Sequence, residues 1–453
     1  MKKTLREIAD ILETDAPSEE FAGAVIEGAS INTLTIQPGN LFVPFKGEKT
    51  DGHKYVRQAF EKGAGASLWQ KGVPDQPSDL PIIVVNDPEE ALQKLAAAYR
   101  LENHFKVVAI TGSNGKTTTK DMIAGVLSTK YSVQKTEGNF NNNLGLPLTM
   151  LNIRESTDVA VLEMGMSGFG EIELLSNIAT PDIAVITNIG ESHLQDLGSR
   201  ENIAKAKFEI ISGLNENGIL FYYGDEPLLK NLVAQTEGLK CASYGYEETN
   251  GLYPRNTVID DAGSRVQLGT EETWVSIPVL GRHNVLNGLA TIRTALHLGL
   301  TLEEIEEGFA KTEMTSMRME RVEGAHGEVF INDAYNASPT SMLAALQFLE
   351  EAKAQGKKIA VLGDMLELGD NEEQFHREIG QKINFNEIPV LLAFGPRSRW
   401  LAEEALERSP LVYWFDQHDE LITELKKHLS EGDLVLVKGS RGMQLEKVIE
   451  AFK

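Results

Sequence analysis

Residues 111–119 read Thr-Gly-Ser-Asn-Gly-Lys-Thr-Thr-Thr, between a short apolar run, Val107 to Ile110, and a helix-like stretch from Lys120 to Leu127. A buried strand, a glycine loop and a helix start in that order make a phosphate cradle. The glycines let the backbone come close, the amides at the helix start point at the anion, and the lysine adds a positive charge. In such a loop Lys116 reaches the β- and γ-phosphates and the Thr117 hydroxyl ligates Mg²⁺. Gly112, Ser113, Asn114, Gly115 and Thr118 complete the expected nucleotide loop. One position departs from the common form, which has a glycine where this chain has Ile110. The stretch demands an α/β sheet with its loop at a strand's carboxyl end, and it points to binding and splitting of ATP or a relative.

The rest of the chain repeats the alternation in three blocks. Residues 1–104 mix short strands and helices: Asn40 to Phe45, then Tyr55 to Lys62, then Ile82 to Val85, with Pro88 to Tyr99 as a connecting helix. Residues 105–316 hold strand candidates Val107–Ile110, Val159–Glu163, Ile183–Thr187 and Gly218–Tyr222, separated by helical stretches, which predicts a parallel sheet covered on both faces. Residues 317–453 offer Val329–Asn332, Ile359–Leu362, Val390–Phe394, Leu411–Trp414 and Leu434–Val437, the pattern of a doubly wound nucleotide-binding domain. A chain of 453 residues exceeds one ordinary core, in keeping with three domains.

Charge excludes some partners. A formal charge of −24 argues against nucleic acid or an anionic membrane, while a local backbone cradle can still hold phosphate. Met1 to Glu13 lacks the apolar core of a signal peptide, and no apolar run approaches the length of a membrane helix, so a cytoplasmic protein is expected, taken as a monomer. The single Cys241 excludes an internal disulfide and is expected to be a small buried apolar residue.

Several side chains stand where chemistry could use them. Glu163 ends a strand candidate, placed to hold Mg²⁺ or its water; a solvated strand-end acid is the plainer alternative. His193 follows another strand, where a lone histidine is equally at home as a structural or exposed residue. Lys205 and Lys207 lie two apart on a helical stretch and point in different directions; by spacing alone both read as a solvated face. His283, Asn284 and Asn287 could cluster on the first turn of a helix running to Leu298, reading a base or holding phosphates, unless an asparagine merely caps the helix. Asp333, at the end of the first strand of the third block and followed by Asn336, suits a ribose or metal contact.

Taken in order, these residues resemble the Mur ligases of bacterial cell-wall synthesis. General family signals are Gly112 to Thr118, Glu163-Met164-Gly165, His193 with Lys207, and Gly281-x-His283-Asn284-x-x-Asn287. The branch that adds a dipeptide is marked by Gly138-Asn139-Phe140-Asn141-Asn142, by Ile331 to Pro339 and by Leu362 to Gly369. The resemblance implies three α/β domains: a small UDP-binding domain, a central P-loop ATPase domain and a C-terminal Rossmann-like domain. It implies ATP-driven addition of D-alanyl-D-alanine to UDP-N-acetylmuramoyl-tripeptide. It assigns Lys116 and Thr117 to the phosphates and Mg²⁺, and Glu163 and His193 to the metal. Lys207 becomes the family's carbamylated lysine, which displaces the solvated-face reading. Asn284, Asn287, Arg318, Asp333 and Asn336 go to the nucleotide, Asn139 and Asn142 to substrate. Where many relatives have Asp-Ser/Thr-Arg, this chain has Asn32-Thr33-Leu34, losing a charged contact to the UDP-sugar. A folylpolyglutamate synthetase-like ligase shares this chemistry, but the large first block and Asn-Ala-Ser-Pro at 336–339 speak against it. A P-loop regulatory NTPase is disfavoured because a guanine-reading Asn-Lys-x-Asp is missing and the third block is separate.

Overall fold

The run ahead of the glycine loop forms the strand Lys106–Thr111, buried at every residue but the first. This computed structural model describes residues 1–47, 50–260, 263–269 and 273–453. The strand lies inside a six-stranded sheet ordered Cys241–Tyr244, Ile219–Tyr223, Ile183–Ile186, Lys106–Thr111, Val159–Glu163, Val133–Lys135. Lys106–Thr111 pairs in parallel with Val159–Glu163, Ile110 opposite Glu163, and Val133 pairs with Val159. On one side of the first strand the chain lays down the edge strand Val133–Lys135 and then inserts Val159–Glu163 between the two, before crossing to the other side with Ile183–Ile186. The P-loop sits at that reversal, where an open α/β sheet leaves a crevice at its carboxyl edge.

By its contacts the chain divides into two compact units. One comprises Met1–Thr111, Lys130–Val185 and Glu209–Leu220. Its N-terminal part is a parallel sheet of Ala29–Ser30, Leu41–Phe42, Ala66–Gln70 and Ile82–Val85, packed on Phe42, Val56, Ala59, Trp69 and Ile82. The strand expected over 40–45 shrinks to two residues. Asn40 folds into a turn by accepting from the Gln37 amide at 2.9 Å, and Pro44 has no N–H for a ladder. The connecting helix, Pro88–Glu102, starts on Asp87, whose carboxylate accepts from the Glu89 amide at 2.7 Å with proline in the first turn. In its last turn the buried Arg100 donates to the Ala179, Thr180 and Phe105 carbonyls and to Asp182 at 2.9–3.1 Å. Asp182 also accepts from the Val107 amide, so one ion pair fixes the helix to the start of the P-loop strand.

The other unit comprises Gly112–Thr129, Ile186–Phe208 and Phe221–Lys453. The P-loop helix, Lys116–Leu127, begins four residues earlier than the sequence suggested, so Lys116, Thr117 and Thr118 occupy its first turn. Helices His283–His297 and Leu302–Lys311 pack on it, close enough that a side chain at Gly308 would come within 2.5 Å of the Val126 backbone. An antiparallel sheet of Pro254–Asp260, Gly263–Leu268 and Trp274–Ile277 was not anticipated, because its first strand is largely exposed and offers no apolar run. Cys241, expected to be buried, is half-buried on its strand.

The C-terminal sheet is ordered Glu320–Glu323, Val329–Asp333, Leu434–Lys438, Lys358–Gly363, Val390–Phe394, Val412–Phe415, parallel except for its first strand. Alternate residues feed two cores. Ile331, Ala360, Leu362, Leu391 and Leu436 pack on Met342, Leu346, Ile379 and Leu401. Phe330, Ile359, Val361, Leu392 and Val437 pack on Leu421, Leu425 and Val448 on the other face. The period of two, apolar on both faces, makes the domain doubly wound. Among the described residues no helix is long and apolar enough to cross a membrane.

Candidate active site

Two glycines shape the cradle. Gly112 has φ +151° and Gly115 φ +80°; a Cβ would fall 1.8 Å from Thr187 Oγ1 in the first case and 2.4 Å from Asn287 Oδ1 in the second. The loop turns at Gly112, and Ile110 belongs wholly to the strand, which accounts for the departure from the common spacing. Asn188 rivets the loop from the next strand's end: its carbonyl accepts from the Ser113 amide at 3.0 Å and its Oδ1 from the Asn114 amide at 2.9 Å. Thr187 Oγ1 and Asn188 Nδ2 both donate to the Asn114 carbonyl, at 2.6 and 3.0 Å. The helix starts on Gly115 with no side-chain cap, leaving its positive end for an anion. Lys116 Nζ folds back onto the Gly112 carbonyl at 2.7 Å, and Thr117 and Thr118 are buried below it. Ser113 Oγ and Asn114 Nδ2 are buried without a hydrogen-bond partner, as expected of groups whose partner is a ligand.

Lys207 and Lys205 separate as helical geometry requires. Lys207 is 1% exposed; Lys205 faces solvent. Burial, then the neighbouring charge of Lys116, hold the Lys207 amine well below its ordinary range. His193 is the residue before a short helix, with a left-handed φ of +65°, and its Nδ1 lies 3.0 Å from Glu367 Oε2. Glu367, from the Leu362–Gly369 motif, was not foreseen as a contact of His193.

The asparagines at 284 and 287 cluster as the spacing suggested, and neither caps the helix. Arg282 holds that position without a side-chain bond. Asn284 donates to the Leu280 carbonyl at 2.7 Å and accepts from Asn287 Nδ2 at 2.7 Å, which turns Asn287 Oδ1 toward Gly115. His283 Nε2 accepts from Asn284 Nδ2 at 3.2 Å, while its Nδ1 is buried without a partner. Burial lowers the His283 pKa to about 4. The ring lines a cavity of about 180 Å³ with Tyr246, Arg282, Ala344, Gln347 and Phe348.

At the end of the strand Val329–Asp333, Asp333 is already paired: Lys438 Nζ reaches its Oδ2 at 2.5 Å and the Asn336 carbonyl at 3.0 Å. Asn336 itself is exposed. The Arg318 guanidinium lies 4.2 Å from the Tyr335 ring centroid, its Nε buried and unpartnered.

In the first unit, Glu163 is 3% exposed. Its Oε1 accepts from Asn141 Nδ2 at 2.8 Å, and its Oε2 is buried without a partner. Within this motif the neighbour of Glu163 is Asn141. Asn139 is exposed, and Asn142 Oδ1 accepts from the Gly145 amide at 2.9 Å, capping a helix start. The Asn-Phe-Asn-Asn motif did not mark which of its three asparagines would bond Glu163, because that depends on the turn. Among the described residues no three His, Cys, Asp or Glu side chains gather as a ready metal cluster.

Comparison with known proteins bears on this arrangement. The Mur ligase family catalytic domain matches residues 25–100, the middle domain residues 110–295, and the glutamate ligase domain residues 317–441. The UDP-N-acetylmuramoyl-tripeptide–D-alanyl-D-alanine ligase of Bacillus subtilis is 46% identical over 99% of this chain and 98% of its own. This chain belongs to the Mur ligase family. The fold agrees with solved Mur ligases: MurF of Acinetobacter baumannii superposes with a TM-score of 0.90 at 29% identity, covering 100% of this chain and 98% of that one. MurF ligase of Thermotoga maritima, solved in complex with ADP, gives 0.82 at 30% identity, covering 94% and 97%. The α/β fold and the three-domain Mur ligase architecture are thereby established.

Proposed function

We propose that this Mur ligase joins D-alanyl-D-alanine to UDP-N-acetylmuramoyl-tripeptide, driven by ATP, through an acyl-phosphate intermediate. The observation that carries the reading is the end-to-end likeness to an enzyme of that name. The tripeptide's terminal carboxylate attacks the γ-phosphorus, ADP leaves, the dipeptide's neutral amine attacks the acyl carbon, and phosphate departs. Carboxylate and γ-phosphate are both anions, so the first step needs positive charge along their approach. Lys116 and the uncapped helix end supply it from this chain. Gly112 to Thr118 hold the phosphates. Asn284, Asn287, Arg318, Asp333 and Asn336 border the nucleotide, with the His283 cavity for its base. Asn139 and Asn142 lie on the substrate side.

The orphaned Glu163 Oε2 and the Thr117 hydroxyl are hard oxygen donors, which suits Mg²⁺. When bound, Mg²⁺ neutralises phosphate charge; Thr117, Glu163, His193 and Lys207 would hold it. An ammonium at Lys207 would repel the ion. Burial beside Lys116 disfavours the ammonium and so favours the neutral amine with which CO₂ forms a carbamate, an anionic oxygen ligand. We take 1–104 as the UDP-binding domain, 105–316 as the ATP domain and 317–453 as the ligase domain, in a cytoplasmic monomer. Asn32 Oδ1 accepts from the Leu34 amide at 2.9 Å, so the Asn32-Thr33-Leu34 departure forms a tight turn in place of a charged contact. The test supplies ATP, Mg²⁺, D-alanyl-D-alanine and UDP-tripeptides ending in L-lysine or meso-diaminopimelate, and follows phosphate release with product mass. Phosphate without a product heavier by the dipeptide would refute the reading.

A further inference from the structure

The P-loop helix carries a buried acid that the reaction as described does not use. Asp121 is 1% exposed and stands one helical turn after Thr117, on the same face. Its Oδ2 accepts two hydrogen bonds from one residue far along the chain: the Thr315 amide at 2.9 Å and the Thr315 hydroxyl at 2.7 Å. Two residues on, Met317 has φ +61° and Met319 φ +54°. Non-glycine residues keep that conformation only where their surroundings over-determine it. Downstream, the Met317 amide donates to Glu320 at 2.8 Å, the Met319 amide to Asp333 at 3.2 Å, and the Tyr335 amide to the Met317 carbonyl at 3.3 Å. Between the two strained residues sits Arg318, its guanidinium over the Tyr335 ring. The crossing segment is thus held at its far end by the C-terminal domain and at its near end by the P-loop helix.

We propose that Asp121 is a positioning residue for the ligase reaction. Through Thr315 it fixes the entry of the crossing segment, so that Arg318 is presented to the nucleotide held by the same helix's N-terminus. The proposal rests on the reading that Arg318 borders the nucleotide. A doubly accepting carboxylate defines both position and direction, because Thr315 cannot rotate without losing one bond. Asp121 Oδ1 meanwhile lies 3.3 Å from Lys120 Nζ, which keeps the carboxylate from turning.

The experiment compares Thr315→Val, Asp121→Ala, Asp121→Asn, the double variant Asp121→Ala/Thr315→Val, and Arg318→Ala. Thr315→Val keeps shape and amide and removes only the hydroxyl donor, so it folds even if Asp121→Ala does not. For loss of one and of two bonds to a charged acceptor, kcat should fall about 5-fold in Thr315→Val and about 30-fold in Asp121→Ala. Asp121→Asn, which retains an acceptor oxygen, should recover to within about 3-fold of wild type. KM for the UDP-substrate should not move, which a general loosening of the fold would not achieve. In the Asp121→Ala background, Thr315→Val should cost nothing further, because the two act as one unit. Wild-type kcat in Thr315→Val and Asp121→Ala, with Arg318→Ala impaired, overturns the brace and leaves the nucleotide assignment intact. Multiplying losses in the double variant, or equal losses in Asp121→Asn and Asp121→Ala, also overturn it. Wild-type behaviour of Arg318→Ala overturns the nucleotide role of Arg318 and the proposal with it.

Discussion

The P-loop and the carboxyl edge of the C-terminal sheet both serve as binding edges of α/β sheets, yet they are prepared differently. In the P-loop the backbone is held in place while two side-chain atoms are left unsatisfied. Gly112 and Gly115 adopt conformations that leave no room for a side chain, Asn188 fixes the amides, and Ser113 Oγ and Asn114 Nδ2 are buried without partners. At the C-terminal edge the charges are already spent on each other: Asp333 on Lys438, with the Arg318 face on Tyr335. A site of the first kind binds with little rearrangement beyond freeing Lys116 from the Gly112 carbonyl, because most of its desolvation cost was met on folding. A site of the second kind must exchange partners to bind. On the proposed reading, affinity for phosphate falls to the first, and the second binds only once Asp333 and Lys438 exchange partners.

Removing one group from each side tests that difference. Lys116→Ala should leave the fold intact and lower phosphate release by at least about 10²–10³-fold, the usual loss for one preorganised charge contact. Near-normal turnover in a folded variant would end the P-loop assignment. Lys438→Met should act on stability instead. It leaves the partly buried Asp333 without its cation, a loss of about 3 kcal/mol, read in denaturant unfolding. If Lys438→Met folds as stably as wild type, the pair is not the structural element described and Asp333 is free to serve a ligand directly.

The two lysines of the helix Arg200–Phe208 sharpen the comparison within one side. Lys207→Ala should lower turnover by about 10²-fold if its carbamate completes the metal's ligand set, with partial rescue by added acetate. Lys205→Ala, exposed on the same helix, should match wild type. Depleting CO₂ should slow the wild type and leave Lys207→Ala unaffected. Equal effects at both positions would return Lys207 to a structural role.

Much of this was legible in the sequence, for definite reasons. Apolar runs such as Val159–Glu163 and Val390–Phe394 marked buried strands with the right ends, because strands covered on both faces have no polar alternation to confuse them. The sheet over 254–277 escaped because exposed strands carry no such run. Within the site, residues fixed by backbone geometry were readable: the glycines, Lys116, and Asn287 one turn beyond His283. Residues whose role depends on a distant partner were not. Asn188 bonds across to the loop at 113–114, Asn141 was hidden among neighbouring asparagines, and Lys438 meets Asp333 over a separation of 105 residues. Spacing along the chain says nothing about such pairs.

The smallest expected effect probes His283, which belongs to the prepared side although it lies near Asp333 and Lys438. Burial lowers its pKa to about 4, with Asp333 opposing that shift and Lys438 reinforcing it. Above the unfolded value of 6.5 the ring is neutral in both states and contributes no pH dependence. As pH falls from 6.5 toward 4 the unfolded chain takes up a proton that the native ring refuses, so native stability drops across that window. Below it both states are protonated and the full penalty remains. His283→Gln cannot titrate and keeps an acceptor for Asn284, so its melting temperature should fall less steeply between neutral pH and the acid end of the window. The difference should be roughly 2–4 °C for each kcal/mol of linkage removed. Parallel profiles would mean that the native ring accepts the proton readily. In that case the cavity beside it is wet and the ring is not held neutral to meet a ligand.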